Sequence, residues 1–245
     1  ADSHAGVTLV RDDQMNQQLH LPIDEADDRP ALPTRLGFPI ASDGGRPFDD
    51  DAFFFEPWWP GTPAFLRRGS GLLELRTEHL SDPLAIFPEL RASLSLIPAD
   101  GVIVEGTLLA LDDEGRPDTA LLRRRLRGGS SEDVLAEGAF VASDLPYLDG
   151  HSLARLPFVE RRRRLASIFP GSDHCVVGPG LVGDGLTMAR AVADMGLGAL
   201  SAHRLDGHWK AGAAGDAWLR LRLHEQPAIE TRPFLVLLET LPLGD

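Results

Sequence analysis

The sequence predicts an α+β fold, and two observations carry that reading. Strand-like and helix-like segments are mixed along the 245 residues without the regular strand–helix–strand alternation of a doubly wound sheet. One pair of strand-like runs is joined by a short glycine-containing turn, the pattern of an antiparallel hairpin. The chain has no internal repeat and no low-complexity tract.

Residues 1–32 form an acidic segment without periodicity, marked by Asp12-Asp13, Asp24-Glu25 and Asp27-Asp28, and are expected to be irregular. Pro30, Pro33 and Pro39 lead into a folded unit over 33–245. The apolar run Phe53-Phe54-Phe55 reads as a buried strand. Ala64-Phe65-Leu66 and Leu72-Leu73-Glu74-Leu75, separated by Arg68-Gly69-Ser70-Gly71, form the hairpin. Phe87-Pro88-Glu89-Leu90 opens a helix whose Leu90, Leu94 and Ile97 share one face. Val102 to Leu111 is a strand ending at the turn Asp112-Asp113-Glu114-Gly115, and Phe140 to Leu145 is another, with a turn at Asp149-Gly150. Phe158 to Ile168 is a helix with Glu160 spaced for an ion pair with Arg164. Asp184 is placed to cap a helix running to Met195, and Gly196 to end it. Ala199 to Ala202, Ala217 to Leu223 and Phe234 to Leu238 complete the strands.

With 43% hydrophobic and 25% charged residues, the composition is that of an ordinary globular chain. No apolar run approaches the roughly 20 residues of a membrane-spanning helix. The start, Ala1-Asp2-Ser3-His4, lacks the layout of a secretory signal. A cytoplasmic location without membrane association is the default expectation. The net charge of −13 repels polyanions, so weak or no DNA binding is expected, although a local basic patch is still permitted.

The single cysteine, Cys175, precludes an internal disulfide and a Cys-rich zinc site, and on an apolar strand it reads as a core thiol rather than a nucleophile. His151, His174, His208 and His224 lack metal-ligand spacing, so no metal site is expected. Arg161 to Arg164 read as a solvated helix face in preference to a phosphate patch.

Several segments have a common likeness. Phe54-Phe55-Glu56-Pro57-Trp58-Trp59-Pro60-Gly61-Thr62-Pro63-Ala64 resembles motif I of ATP-dependent DNA ligases, F-E-P-K-W-D-G-x-R-A. Phe87-Pro88-Glu89-Leu90, Val104 to Leu111, Leu122 to Leu126, Val141 to Gly150 and Leu156 to Leu165 are similar to later family segments. Gly196 to Asp206 resembles G-L-E-G-V-V-A-K-R-L-D, and Ala217 to Arg222 resembles the final W-L-K-x-K. The resemblance covers roughly residues 33 to 223 in the family's order. It implies a DNA-ligase-like adenylation domain, with antiparallel sheets packed together and flanked by helices. After Asp245 nothing remains to match the family's OB-fold, so no complete OB-fold is expected.

The resemblance also implies what has changed. In that family the motif I lysine attacks ATP and carries AMP as a phosphoramidate, work that needs a positioned amine. Trp58 holds that position here, and the chain's one lysine, Lys210, falls far along the sequence. The motif's aspartate and arginine are Pro60 and Pro63, and the aromatic that stacks on adenine is Ser143. The motif III carboxylates are Glu105 and Thr107. The motif IV glutamate, a metal-site residue, is Gly198, and its lysine is His203. The motif V lysines are Arg220 and Arg222, and a Ser-Arg pair is Thr77-Glu78. Glu56, Gly61, Gly106, Asp144 and Trp218 persist.

The expected ligand pocket therefore comprises Glu56, Trp58, Trp59, Ser143, Trp209, Arg220 and Arg222, with Glu105 and His203 as acid–base candidates and no cofactor. Two readings of Trp58 stand open: a wall of a remodelled pocket, or an apolar plug in a disused one. Glu105 and His203 are either a new acid–base pair or hydrogen-bonded relics. Two functions follow. The nucleotide cleft is rebuilt to bind or transform a different small molecule, or the chain is a non-catalytic pseudo-ligase acting as a structural or regulatory protein partner, with DNA repair as its setting. Active ligation is excluded by the missing lysine.

Overall fold

The computed structural model describes residues 31–128, 137–223 and 230–241. The expected irregular segment 1–32 lies outside them except for its last two residues, and His224 lies outside them as well. The strands are β1 (Pro39–Ile40), β2 (Ser42–Gly45), β3 (Asp50–Pro57), β4 (Thr62–Gly69), β5 (Leu72–Thr77), β6 (Val102–Leu111), β7 (Glu137–Leu148), β8 (His151–Ser152), β9 (Cys175–Val177), β10 (Leu181–Gly183), β11 (Ala199–Arg204), β12 (Gly212–Ala213) and β13 (Trp218–Arg222). The α-helices are α1 (Leu90–Ser95), α2 (Thr119–Leu126), α3 (Phe158–Ile168), α4 (Gly185–Asp194) and α5 (Phe234–Thr240).

Period-2 side-chain alternation decides how these strands assemble. Phe53 and Phe55 of β3 are buried in one apolar cluster, while Phe54 and Glu56 project to the other face. The same alternation sends Leu200 and Ala202 of β11 into that cluster and leaves Ser201 and His203 opposite. These strands form a five-stranded sheet in the order β10-β3-β11-β13-β2. A six-stranded sheet runs β5-β4-β6-β7-β8, with β9 added against β7. Most pairings are antiparallel; β13–β2, β7–β9 and β1–β12 are parallel. The architecture is α+β, as the mixed elements predict.

Two cores stabilise it. Val102, Val104, Leu108 and Ala110 of β6 pack with Leu90, Leu94 and Leu165 of α1 and α3. Leu109, Leu111, Ala139 and Val141, on the opposite face of the same sheet, pack with Phe53, Phe55 and with Met188 and Val192 of α4. The β4–β5 hairpin closes on Ser70 and Gly71, with φ of 50° and 76°, the paired positive values of a tight hairpin turn. Gly61 and Gly106 sit where a Cβ would collide with the carbonyl oxygens of Leu108 and Val141, so the strands approach there only because these residues lack one.

Four expectations are corrected. Phe234–Thr240 is a helix, not a strand: Pro233 precedes it, and Phe234, Leu237 and Leu241 are buried at helical spacing while Leu235 and Val236 face outward. Asp184 occupies the N-cap of α4 without a capping bond; Asp49 accepts from the Leu186 amide instead, at 2.8 Å. Glu160 pairs with Arg163 at 2.8 Å rather than with Arg164. The expected Phe140–Leu145 strand is the middle of the longer β7. Helix α2 had no counterpart in the predicted elements, although Asp118 caps it by accepting from Ala120 and Leu121. Among the described residues, no helix is long and apolar enough to cross a membrane.

Candidate functional site

The cleft lies between the polar-facing sides of the two sheets. Register sets its composition. On the five-stranded sheet, Ser201 stands opposite Glu56 on β3, and His203 stands opposite Phe54 on β3 and Trp218 on β13. Glu56, Ser201, His203 and Trp218 line the cleft, while Phe54 packs against Phe158 and Arg162. Across from them, Glu105 and Thr107 of β6 project from the face opposite the Val102–Val104 core. On β7 the register shifts between the Glu105–Asp144 and Gly106–Ala142 pairs, a β-bulge around Ser143. Because of this extra residue, both Ser143 and Asp144 line the cleft rather than only one of them.

Aromatic rings fill much of this space. Trp58 stacks on Trp218 with ring centroids 5.8 Å apart. Trp218 stacks on His203 at 5.3 Å, and His203 on Phe158 of α3 at 4.6 Å. The Arg220 guanidinium lies 4.6 Å from the Trp58 ring centroid. The Trp218 indole N–H donates to the Ser201 hydroxyl at 3.2 Å.

What remains open falls into three parts. A cavity of about 70 Å³ is bounded by Glu56, Trp58, Trp59, Glu105, Ser143 and Trp218. A second, of about 30 Å³, touches Glu105, Asp144, His203, Trp209 and Lys210. Beyond the Trp58–Trp218 stack an outer groove of about 600 Å³ opens, reached by Arg220, Arg222, Arg76, Asp43 and Glu78. The nine residues expected in one pocket are thus divided. Glu56, Trp58, Trp59, Ser143 and Glu105 share a cavity; His203 and Trp209 line the neighbouring one; Arg220 and Arg222 lie in the outer groove with Trp58.

Electrostatics at the cleft floor centre on a cluster of buried acids. The Trp209 indole N–H donates to Glu105 Oε2 at 2.5 Å. Burial, followed by the charge of Asp144, pushes the Glu105 carboxyl up to about 8, so it is protonated at neutral pH. Asp144 is held in a bidentate pair by Arg161, with Nε to Oδ1 at 2.8 Å and Nη2 to Oδ2 at 2.7 Å. Arg161 also donates to the carbonyls of Leu156 and Gly207. Arg162 donates to Ser143 O at 2.7 Å and to Gly178 O, and approaches Glu56 Oε2 at 3.4 Å. Glu56 Oε1 lies 3.2 Å from His203 Nε2.

The expected solvated arginine face of α3 is therefore corrected. Arg161 is 2% exposed, and Arg162 turns inward to tie β7 to the cleft; of the four, only Arg163 is exposed. Helical periodicity hid this, because buried arginines are rare unless paired and their partner, Asp144, sits on a bulged strand. Cys175 is buried as expected, and burial pushes its thiol up to about 11. Among the described residues, no group of His, Cys, Asp and Glu is arranged to hold a metal ion.

Comparison with known proteins gives a consistent picture. No protein-family model matches the chain. Multifunctional non-homologous end joining protein LigD of Mycolicibacterium smegmatis is 24% identical over 195 residues, covering 79% of this chain and 24% of that protein. The DNA ligase of Thermococcus fumicolans is 29% identical over 177 residues, 69% of this chain and 32% of that protein. The SPbeta prophage-derived DNA ligase-like protein LigB of Bacillus subtilis is 24% identical over 72% of this chain and 63% of its own length. The chain thus spans from about a quarter to under two thirds of these relatives. Among solved structures, mycobacterial DNA ligase D complexed with ATP and MES superposes with a TM-score of 0.63 at 24% identity, covering 81% of this chain and 61% of that one.

Proposed function

This chain is homologous to ATP-dependent DNA ligases and has their adenylation-domain fold, and from that premise we propose that it has lost adenylyl transfer and binds a different small molecule at the rebuilt cleft. One observation carries the reading: the ring stack of Trp58, Trp218 and His203 runs through the space the resemblance assigns to the nucleotide. The interior space left beside Glu56, Glu105 and Ser143 is about 70 Å³, below the roughly 300–1,000 Å³ of small-molecule pockets, so a different ligand has room only in the outer part of the cleft, about 600 Å³ beyond the Trp58–Trp218 stack. An adenosine nucleotide does not fit the interior space without displacing the indoles. An indole also offers one N–H and no nucleophilic amine.

The test is incubation with labelled ATP and magnesium, followed by denaturing electrophoresis. No covalent AMP adduct is expected on the wild type. Trp58→Lys is expected to form none either, because Pro60, Pro63, Thr107 and His203 each remove a separate part of the machinery, and residues acting as a unit are not recovered singly. A stable adduct, on Lys210 above all, would overturn the proposal.

A second reading is favoured by the small interior volume: a filled cleft suits a non-catalytic pseudo-ligase acting as a structural or regulatory partner. Two of the relatives are named for non-homologous end joining, which supports DNA repair as the setting of this second reading. Co-purification of a repair protein that survives disruption of the outer groove, with no small-molecule binding, would favour this reading over the first.

A further inference from the structure

We propose that the outer groove is a binding site for a small carboxylic acid with a flat apolar body, its acid group held by Arg220 and its body against Trp58 and Trp218. The inference deepens the proposed function, and rests on it in one respect: the ligand is not the nucleotide.

Size and walls come first. At about 600 Å³ the groove is within the range of small-molecule sites, unlike the two interior cavities. Its walls carry the edges of two indoles together with Pro39 and Ile40, and Ile40 is 63% exposed, an apolar side chain left open to solvent. Ring edges favour an aromatic body, which meets them edge to face.

The acid group is argued from the arginines. Three guanidinium groups reach the groove, and two are already engaged. Arg222 pairs with Asp43 at 3.1 Å, and Arg76 donates to the Thr34 carbonyl at 3.1 Å. Arg220 has no carboxylate partner among the described residues. Its guanidinium lies against the Trp58 ring, and its Nε is buried without an acceptor. The two terminal nitrogens of the guanidinium, rather than the buried Nε, present the planar donor pair that matches the two oxygens of a carboxylate, and stacking on the indole holds that plane in place.

Charge separates a monoacid from a polyphosphate. The groove carries Arg76, Arg220 and Arg222 against Asp43 and Glu78, three positive and two negative, for a local net of +1. A single carboxylate neutralises that surplus. A triphosphate would bring several negative charges against Asp43 and Glu78, in a chain whose net charge is already −13.

The experiment uses calorimetry with benzoate, phenylacetate and indole-3-acetate as probes, indole-3-acetamide as the neutral counterpart, and ATP as the nucleotide. At least one acid is expected to bind with one-to-one stoichiometry, and indole-3-acetamide at least tenfold more weakly than indole-3-acetate. Arg220→Gln should weaken the acid at least tenfold, and Arg220→Lys, which keeps charge but not the fork, by severalfold. Should Arg220→Gln not fold, Arg220→Lys carries the comparison. Equal affinity for acid and amide, indifference to both variants, tighter Arg220-dependent binding of ATP, or no binding of any acid at millimolar concentration would each overturn the inference. Failure here with no AMP adduct leaves the loss of adenylyl transfer standing; an adduct removes that reading first.

Discussion

Trp58 and Trp218, 160 positions apart in sequence, stack with centroids 5.8 Å apart and an interplanar angle of 23°, and this contact separates the interior cleft from the outer groove. The two indoles come from either side of β11: Trp58 directly follows β3, and Trp218 opens β13. The large rings reach across the intervening strand, where Ser201 and His203 supply a small side chain and a flat one. The pair is at once a wall of the small cavity and a wall of the large groove.

That position sets an intermediate cost for its removal. Trp58 is half-buried, and its ring touches Trp218 and Arg220 rather than a sealed core. A fully buried tryptophan truncated to alanine costs about 3–5 kcal/mol. Trp58→Ala is expected to cost about 2 kcal/mol, part of it the aromatic contact itself. Chemical denaturation of wild type and variant measures this. A loss below about 0.5 kcal/mol would mean the stack does not hold the cleft together; a loss near 5 would make Trp58 a core plug.

Glu105 gives the cleft a pH signature. Its folded-state carboxyl is raised from 4.5 to about 8, chiefly by burial and then by Asp144, with Glu56 adding to the rise and Trp209 and Arg161 opposing it. The unfolded chain releases this proton near pH 4.5, the folded chain only near 8. The group's contribution is therefore fully present below about 4.5 and is lost as pH climbs through that window, by up to ~1.4 kcal/mol per pH unit. Glu105→Gln, which keeps an acceptor for the Trp209 N–H, should gain stability relative to wild type between pH 5 and pH 8 and show no further gain above it. A difference that stays flat with pH would mean Glu105 is ionised in the fold.

Arg161 and Arg163 occupy the same helix and should behave oppositely. The Arg161–Asp144 pair is buried on both sides, with side chains 3% and 6% exposed. Removing one member of such a pair strands the other, at about 3–5 kcal/mol. Arg161→Ala is expected to fall in that range, whereas Arg163→Ala, whose ion pair with Glu160 is solvent-exposed, should stay within about 0.5 kcal/mol. Equal losses in equilibrium unfolding would refute the assignment of Arg161 as an internal strut.

These contrasts mark how far the sequence could be read. Strands with clear alternation or continuous apolar runs, such as β3 and β6, and the turn glycines between them are legible because period and turn chemistry are local signals. The run Phe234 to Leu238 is not, since five apolar residues suit strand and helix alike, and only Pro233 and the tertiary contacts of Phe234 and Leu237 decide. The two register shifts flanking the Glu105–Asp144 pair, one of them the bulge at Ser143, leave no trace in composition, yet they bring Asp144 opposite Glu105. The family resemblance named candidate residues for one pocket. It could not show that Trp58 and Trp218 would divide them among three spaces, because that depends on ring orientation across the sheet.

Binding to nicked duplex DNA is the last expectation, and it turns on where the arginines are spent. A protein gains affinity for duplex by neutralising phosphates with free cationic side chains. Here Arg161 and Arg162 are turned inward onto Asp144, Glu56 and backbone carbonyls, Arg116 is tied to Asp112, Glu114 and Glu230, and Arg204 to Asp206. Each pair removes a cation from the phosphate count, and the chain carries a net charge of −13. Affinity in a filter-binding or anisotropy titration is therefore expected to be weaker than micromolar at physiological salt, with a shallow dependence on salt because few counterions are released. Submicromolar binding with a steep salt slope would show instead that the remaining exposed arginines, Arg123 and Arg124 on α2 among them, form a phosphate-binding surface.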